Sequence, residues 1–152
     1  MKLILSDKNL NVILPNNTKF IDLSSLKISK LHRLFLAAGR RPPGKCLIRD
    51  DAVKVYPYIA KCSSVLYVSR IRYGGYDTVM KTMLERAIPI QQAFIRLLHG
   101  ETHHIQRDVA PKNATIIGYG NIDRKEKEIF QELVGRNAQN MNFQHYQNPI
   151  YR

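Results

Sequence analysis

The stretch Val65–Met83 reads VLYVSRIRYGGYDTVMKTM, and it decides the fold that the sequence predicts. The segment Tyr73-Gly74-Gly75-Tyr76 lies between two arms that are rich in β-branched and aromatic residues. Hairpin turns need positive φ, which glycine reaches without steric cost, so the pattern predicts a β-hairpin over residues 65–83. Side chains alternate along a strand, so Arg70 and Arg72 fall on one side of the first arm, beside the tip.

The predicted hairpin tip combines guanidinium groups with aromatic rings. Such groups on an exposed turn are suited to contact phosphates and unstacked bases, which indicates binding to a nucleic acid. The alternative interpretation is a surface hairpin whose arginines are simply solvated.

The charge of the chain favours a polyanionic partner. Lys and Arg number 24 against 12 Asp and Glu, which gives a net charge of +12. Residues 1–76 hold 14 of the basic residues but only 4 of the acidic ones. A basic half of this kind is typical of nucleic-acid-binding surfaces. Binding to a membrane surface is disfavoured because no long helix with a broad apolar face is predicted.

The cysteines and the start of the chain indicate the compartment. Cys46 and Cys62 are far apart and show no CxxC spacing, so we expect free thiols in a reducing compartment and no structural zinc. No apolar run is long enough to span a bilayer. The first residues resemble neither a signal peptide nor a transit peptide, so we expect a protein that works where it is made or is already processed.

The length and the pattern of apolar residues predict a single domain over residues 1–152 that contains several helices and the β-hairpin. It comprises an N-terminal arm over residues 1–20, the hairpin over 65–83 and a C-terminal tail over 140–152. Predicted helices run from Asp22 or Ser24 to about Ala38, onward from Asp50 and Asp51, over Met83–His99, and from Asp123 to about Gln139. A stiff basic loop follows the first helix, because its prolines and glycines forbid helix there.

No set of residues marks a catalytic centre. The sequence contains no phosphate-binding glycine loop, no dinucleotide fingerprint and no nucleophile elbow. His99, His103 and His104 are the only clustered metal-ligand candidates, but Gly100 would break the helix that aligns them. The sequence therefore predicts a protein that is not an enzyme, with no cofactor and no metal.

Three segments, in order, give the chain a resemblance to a known family. Ile13-Leu14-Pro15 followed by Lys19-Phe20 resembles the entry segment of bacterial-type ribosomal protein seven of the small subunit. Ser69–Gly75 resembles the arm and turn of that family's β-hairpin, and Asn140–Tyr146 is similar to its C-terminal signature. The distance from the Gly-Gly turn to Phe143 also agrees with the family's layout.

The resemblance implies a mainly α fold, a helical bundle with one protruding β-hairpin, and a role as a structural constituent of the small ribosomal subunit. Such a protein binds the rRNA of the subunit head, supports head assembly and holds its hairpin near the exit-site tRNA and mRNA. Its other partners would be neighbouring head and platform proteins, without contact to a membrane. The divergence of the chain implies a mitochondrial ribosome, with a bacterial or plastid ribosome as the alternative location.

Two other functions stay open at this point. One is a stand-alone basic nucleic-acid-binding protein, viral or regulatory. The other is a basic nuclease or metal-dependent enzyme that uses the histidine cluster. The candidate RNA-binding residues are cationic, aromatic or turn-forming: Lys19, Arg33, Arg40, Arg41, Lys45, Arg49, Arg70, Arg72, Tyr73, Gly74, Gly75, Tyr76, Arg86, Arg124, Lys125, His145 and Tyr146.

Overall fold

A computed structural model describes residues 1–30, 46 and 48–151 of the chain. Its strands are β1 (Lys2–Ser6), β2 (Thr18–Asp22), β3 (Ser64–Arg72), β4 (Gly75–Tyr76), β5 (Gln91–Leu98), β6 (Glu101–Gln106), β7 (Lys112–Tyr119), β8 (Phe143–Gln147) and β9 (Ile150–Tyr151). Its α-helices are α1 (Ala52–Lys61), α2 (Thr78–Glu85) and α3 (Arg124–Asn140), and short 3-10 turns cover Leu23–Ser25 and Ile88–Ile90.

A mostly parallel sheet forms the centre of the molecule, with its main strands in the order β2-β1-β3-β7-β8. Leu3 pairs with Val65, and Val65 pairs in turn with Ala114, so three segments far apart in sequence meet at the centre. The short strands β4 and β9 add to this sheet beside β3 and β7. The class is therefore α/β, and the prediction of a mainly α bundle is wrong.

The core explains why these segments become strands. Leu3, Leu5, Val65 and Tyr67 are at most 2% exposed, as expected for strands that lie inside a parallel sheet. Helix α3 buries Phe130, Val134 and Ala138 at a spacing of four, which forms its inner stripe. A Cβ on Gly118 of β7 would lie 3.1 Å from a ring carbon of Phe130 and 2.5 Å from Ile71, so glycine allows helix and strand to approach.

The predicted hairpin over 65–83 is only partly present. Tyr73 and Gly74 have φ of 51° and 70°, so the turn lies at the expected place. The returning strand, however, pairs only two of its residues with β3. Asp77 then accepts a hydrogen bond from the backbone N–H of Thr78 at 2.7 Å and starts α2, so the second arm is a helix. The first arm is a central strand and not a protruding ribbon.

The predicted helix over Met83–His99 is also wrong. Helix α2 ends at Glu85, and Pro89 lies in a 3-10 turn. Strands β5 and β6 follow as a separate antiparallel pair, joined by His99 and Gly100 with φ of 52° and 81°. Two successive positive φ angles form a tight hairpin turn, which overrides the helical spacing of the apolar residues.

The helices predicted to follow Asp51 and Asp123 are confirmed as α1 and α3. Asp123 and Glu126 form a reciprocal capping box, which fixes the start of α3. At the first predicted helix, Asp22 caps only the 3-10 turn that begins at Leu23. Residues 26–30 are not helical, so the predicted helix is wrong there, and residues 31–38 with the basic loop after them lie outside the described residues. Within the described chain, no helix has the length and apolar character needed to cross a bilayer.

Candidate functional site

The carboxyl ends of β1 and β3 lie side by side at the point where the strand order of the sheet reverses. From β1 the chain continues outward to β2, whereas β3 is followed on its other side by β7 and β8. In doubly wound sheets, ligands bind in the crevice outside the carboxyl ends of the strands at such a switch point. The residues that follow β1, β3 and β7 are therefore the candidates for a ligand site.

Asp7, directly after β1, joins the ends of three strands. Its backbone N–H donates to the carbonyl of Val68 in β3 at 3.1 Å. One carboxylate oxygen accepts from the backbone N–H of Arg70 at 2.6 Å, and the other accepts from the hydroxyl of Tyr119 at 2.8 Å. The carboxylate is thus held by the end of β3 and the end of β7 together.

Tyr119 is the aromatic member of this cluster. Burial, together with the hydrogen bond to Asp7 and the charge of Asp7, raises the pKa of its hydroxyl to about 12. The ammonium nitrogen of Lys8 lies 3.9 Å from the centroid of the Tyr119 ring, within the range of a cation–π contact. The switch point thus contains a neutral phenol, a carboxylate and a cation in contact.

The loop after β3, residues 72–77, presents rings and backbone at the same edge. Tyr73 is 90% exposed at the turn. Tyr76 is buried, and its ring meets Phe130 edge-to-face at a centroid distance of 5.1 Å. The Nε of Arg72 lies 3.5 Å from a carboxylate oxygen of Asp77, which ties the two ends of the loop together.

Gly74 fixes the approach of this loop to α3. Its φ is +70°, and an added Cβ would come within 2.7 Å of the side chain of Ile129. Any other residue would push the loop away from the helix, because 2.7 Å is far inside van der Waals contact. Gly75 has open space around it by comparison, with its nearest neighbour 3.7 Å away.

A groove of about 630 Å³ begins at this loop and continues between α2 and α3. Tyr73, Tyr76 and Asp77 line its loop end, and Leu84 and Leu133 line its walls. Its volume lies in the range of about 300–1,000 Å³ that small-molecule sites occupy. The groove therefore has room for a flat organic ligand placed against the loop.

The connection from β1 to β2 differs from the corresponding connection of a typical doubly wound sheet. Residues 7–17 contain no helix. The backbone N–H of Asp7 is bonded to β3, and that of Lys8 donates to the side chain of Ser6 at 3.2 Å. A helix N-terminus, the common device for binding a phosphate, is therefore absent after β1.

The structure separates most of the predicted site residues. Arg70, Arg72 and the Tyr73–Tyr76 turn lie together at the carboxyl edge of the sheet. Lys19 is in β2, Arg49 is exposed before α1, Arg124 and Lys125 are exposed at the start of α3, and His145 and Tyr146 are exposed on β8. Arg33, Arg40, Arg41 and Lys45 lie outside the described residues.

Arg86, one of the candidate RNA-binding residues, does not lie at the surface. Its side chain is fully buried. It donates to both carboxylate oxygens of Asp50, at 2.6 and 2.9 Å, and to the carbonyl of Ser29 at 3.0 Å. Arg86 and Asp50 therefore form a structural ion pair that joins the end of α2 to the start of α1.

The sequence interpretation missed the residues of the switch point. Asp7 and Tyr119 are 112 positions apart and became neighbours only because β1 and β7 both pair with β3. The available signal was a polar residue directly after a short apolar run, which marks the carboxyl end of a buried strand. Within residues 1–30, 46 and 48–151, no group of three potential metal ligands comes together.

Comparison with solved structures supports a flavodoxin-like fold, the doubly wound class with this strand order. An FMN-dependent NADH-azoreductase from Bacillus anthracis, solved with FMN, is 11% identical and superposes with a TM-score of 0.61 over 98% of this chain and 85% of its own. The azoreductase AzrA superposes with a TM-score of 0.67 at 11% identity, with the same coverage.

An NAD(P)H:quinone oxidoreductase from Methanothermobacter marburgensis gives a TM-score of 0.62 at 11% identity, over 98% of this chain and 84% of its own. Neither a family model nor a curated protein sequence matches the chain. Identities near 11% establish a shared fold and leave the activity to be argued from the site.

These findings correct the functional interpretation of the sequence. The resemblance to ribosomal protein seven is wrong, because the Tyr-Gly-Gly segment ends a central parallel strand and Asn140–Tyr146 spans the end of α3 and an outer strand. The ribosomal role and the alternative of a stand-alone nucleic-acid-binding protein are wrong with it. So are the predicted partners, which were rRNA, ribosomal proteins, tRNA and mRNA. The prediction that the chain is not an enzyme is contradicted by the reductases that share its fold.

Proposed function

We propose that the chain is a flavin-dependent oxidoreductase that holds the flat ring of a flavin against the loop of residues 72–77. The observation that carries the proposal is the position of this tyrosine- and glycine-rich loop, at the switch point of a flavodoxin-like sheet and at the mouth of a groove. The names of the similar structures, which include an FMN-dependent azoreductase and a quinone oxidoreductase, point in the same direction.

The ring end of a flavin fits the residues that are present. Tyr73 exposes an aromatic face, and aromatic pairs add about 0.5–1.5 kcal/mol beyond the area that they bury. Gly75, where the nearest neighbour of an added Cβ is 3.7 Å away, leaves the backbone of the loop accessible to a flat ligand. A bound flavin would supply electron transfer between a nicotinamide nucleotide and an acceptor. The protein would orient the ring and shield one of its faces from water.

The phosphate end of a flavin would be held differently here from a phosphate bound at a helix N-terminus. No helix follows β1, and the Asp7 carboxylate would repel a phosphate placed directly beside it. The cations nearest to this carboxylate along the chain are Lys8, which covers Tyr119, and Arg70, whose backbone N–H contacts Asp7. We therefore assign the flavin contact to its ring, with the side-chain cations of Lys8 and Arg70 as partners for the phosphate.

The test is a flavin titration of the purified chain, followed by quenching of flavin fluorescence. Riboflavin and FMN are the two probes, because they share the ring and differ by the phosphate. We expect both to bind. Tyr73→Ala should weaken both by about two- to tenfold, the equivalent of one aromatic contact. Tyr58→Ala is the matched control, since Tyr58 lies on α1 under Lys19 and is 36% exposed.

Turnover provides the second part of the test. NADH oxidation with a quinone or an azo dye as acceptor should require added flavin and should decrease in the Tyr73→Ala variant. If neither flavin binds, or if Tyr58→Ala weakens binding as much as Tyr73→Ala does, the proposed function is refuted.

A further inference from the structure

Strands β5 and β6 form an arm, residues 91–106, that is not part of the central sheet. The arm is a two-stranded antiparallel ribbon, closed by the turn at His99 and Gly100. Isolated two-stranded ribbons are marginally stable in water and gain stability from further strands or a packed layer.

The inner side of the arm is anchored to α3. His103 is 6% exposed, and its Nδ1 lies 3.0 Å from the side-chain oxygen of Asn140. The Nε2 of Gln106 donates to the carbonyl of Gln139 at 2.9 Å, and Arg136 pairs with Glu101 at 3.2 Å. These polar contacts fix the position of the arm without burying its apolar residues.

The outer side of the arm is apolar and uncovered. Ile95 and Leu97 are 63% and 74% exposed on this side, and Phe94, which alternates with Ile95 along the strand, is 71% exposed. Ile95 pairs with His104 and Leu97 with Thr102, so their side chains share the face opposite to His103, away from α3. Contiguous exposed apolar groups of this kind mark interaction sites.

The free edge of β5 also lacks hydrogen-bond partners. A two-residue turn is closed by a pair that exchanges both hydrogen bonds, here Leu98 with Glu101. Hydrogen bonding alternates along a strand, so the backbone groups of Ile95 and Leu97 point away from β6. Within residues 1–30, 46 and 48–151, β5 pairs with no strand other than β6.

The apolar face and the unpaired edge together indicate which kind of partner covers the arm. A lipid surface would cover the apolar side chains but offers no partner for the backbone groups of the edge. A polyanion would do neither. Another β5 strand supplies both, and an exposed edge strand is a template for pairing with a further chain.

The charge on β5 sets the register of such a pair. Antiparallel pairing centred on Ile95 places Arg96 opposite Phe94 of the second copy, where a cation meets a ring. Pairing centred on Arg96 would place two like charges opposite each other, which is destabilising. The remaining residues from Ala93 to Leu98 are apolar, so the Ile95-centred register leaves no charge facing a like charge.

We propose that the arm is a dimerisation element, in which β5 of a second copy pairs antiparallel with β5 about a two-fold axis at Ile95. The two arms then form one four-stranded sheet. A closed two-fold contact of this kind uses the same surface on both copies and stops at two. The dimer would be independent of flavin binding.

Cysteine cross-linking tests both the contact and its register. Paired residues across an antiparallel ladder lie at a Cα separation that permits a disulfide. Ile95→Cys should therefore give a covalent dimer under mild oxidation. Thr102→Cys is the control, because Thr102 is exposed on the same face but lies on β6. The native thiols of Cys46 and Cys62 are buried and do not compete.

Sedimentation equilibrium of the full chain gives the second readout. Wild type should sediment as a dimer, and Leu97→Lys with Phe94→Lys should sediment as a monomer with an unchanged circular dichroism spectrum. If the double variant fails to fold, the cysteine variants decide. A monomeric wild type, equal cross-linking at positions 95 and 102, or binding to acidic lipid vesicles by a monomer would each overturn the proposal.

Discussion

The buried ion pair between Arg86 and Asp50 gives the sharpest stability prediction. Arg86 is fully buried, and the Asp50 side chain is 10% exposed, so neither charge can be solvated if the other is removed. Removing one member of a buried pair costs about 3–5 kcal/mol, because the remaining charge is left uncompensated. We therefore expect Arg86→Met to lower the free energy of unfolding by about that amount.

A double-mutant cycle isolates the pair. Asp50→Asn alone should be similarly destabilising, whereas Arg86→Met combined with Asp50→Asn should cost clearly less than the sum of the two single changes. The assay is urea unfolding followed by circular dichroism at neutral pH. Arg124→Ala is the matched control, since the Arg124–Glu128 pair has a similar distance of 2.8 Å but the Arg124 side chain is 93% exposed.

The pair also predicts an acid dependence. Burial alone would raise the pKa of Asp50, but hydrogen bonds from Arg86 and from the Ser29 backbone, with the Arg86 charge, lower it below its ordinary 3.8. A lowered native pKa contributes stability that is present above 3.8 and is lost as the pH falls through the native value. Wild type should lose this contribution on acidification and the double variant should not. Additive single effects, or a cost for Arg86→Met no larger than for Arg124→Ala, would refute this reasoning.

Two further predictions concern the site. Gly74→Ala should destabilise the protein by about 1–2 kcal/mol, because Gly74 has positive φ and an added Cβ would overlap Ile129. Gly75→Ala is the control and should not destabilise the protein. Thermal unfolding compares the two variants, and equal effects would contradict the packing argument. Asp7→Asn should lower the pKa of Tyr119 from about 12 but keep it above 10, because burial is the larger cause. Tyrosinate absorption measures the pKa of Tyr119. The pKa of Tyr76, which is also about 12, is the control and should not change. A raised native pKa stabilises the fold below pH 10 and loses that effect as the pH rises through 12.

The parts of the fold that the sequence predicted correctly depend on local signals. Asp123 and Glu126 form a capping box before an apolar stripe, and α3 begins where they predict. The Tyr73–Gly74 turn is likewise local, because positive φ is a property of the residues themselves. Those signals depend only on residues three or four positions apart, so they can be read without knowing the tertiary contacts.

The parallel sheet depends on contacts that no local pattern reports. Leu3 and Leu5 were predicted to be part of an N-terminal arm, because the sequence does not show that Val65 and Ala114 lie beside β1 and β3. The apparent helix over Met83–His99 had the right spacing, but Pro89 and the His99-Gly100 turn were the stronger determinants. The charge count was also misleading at Arg86 and Lys112, because both side chains are buried and do not contribute to a surface.

The most direct test of the account is the location of the flavin on the protein. Isotope-labelled chain titrated with riboflavin should show amide chemical-shift changes at residues 72–77 and after β7, at residues 119–122. Ile95 and Leu97 of the arm, which face away from α3, should not respond. Changes confined to the arm or to α1, or no changes at flavin saturation, would contradict a ring site at the switch point of this sheet.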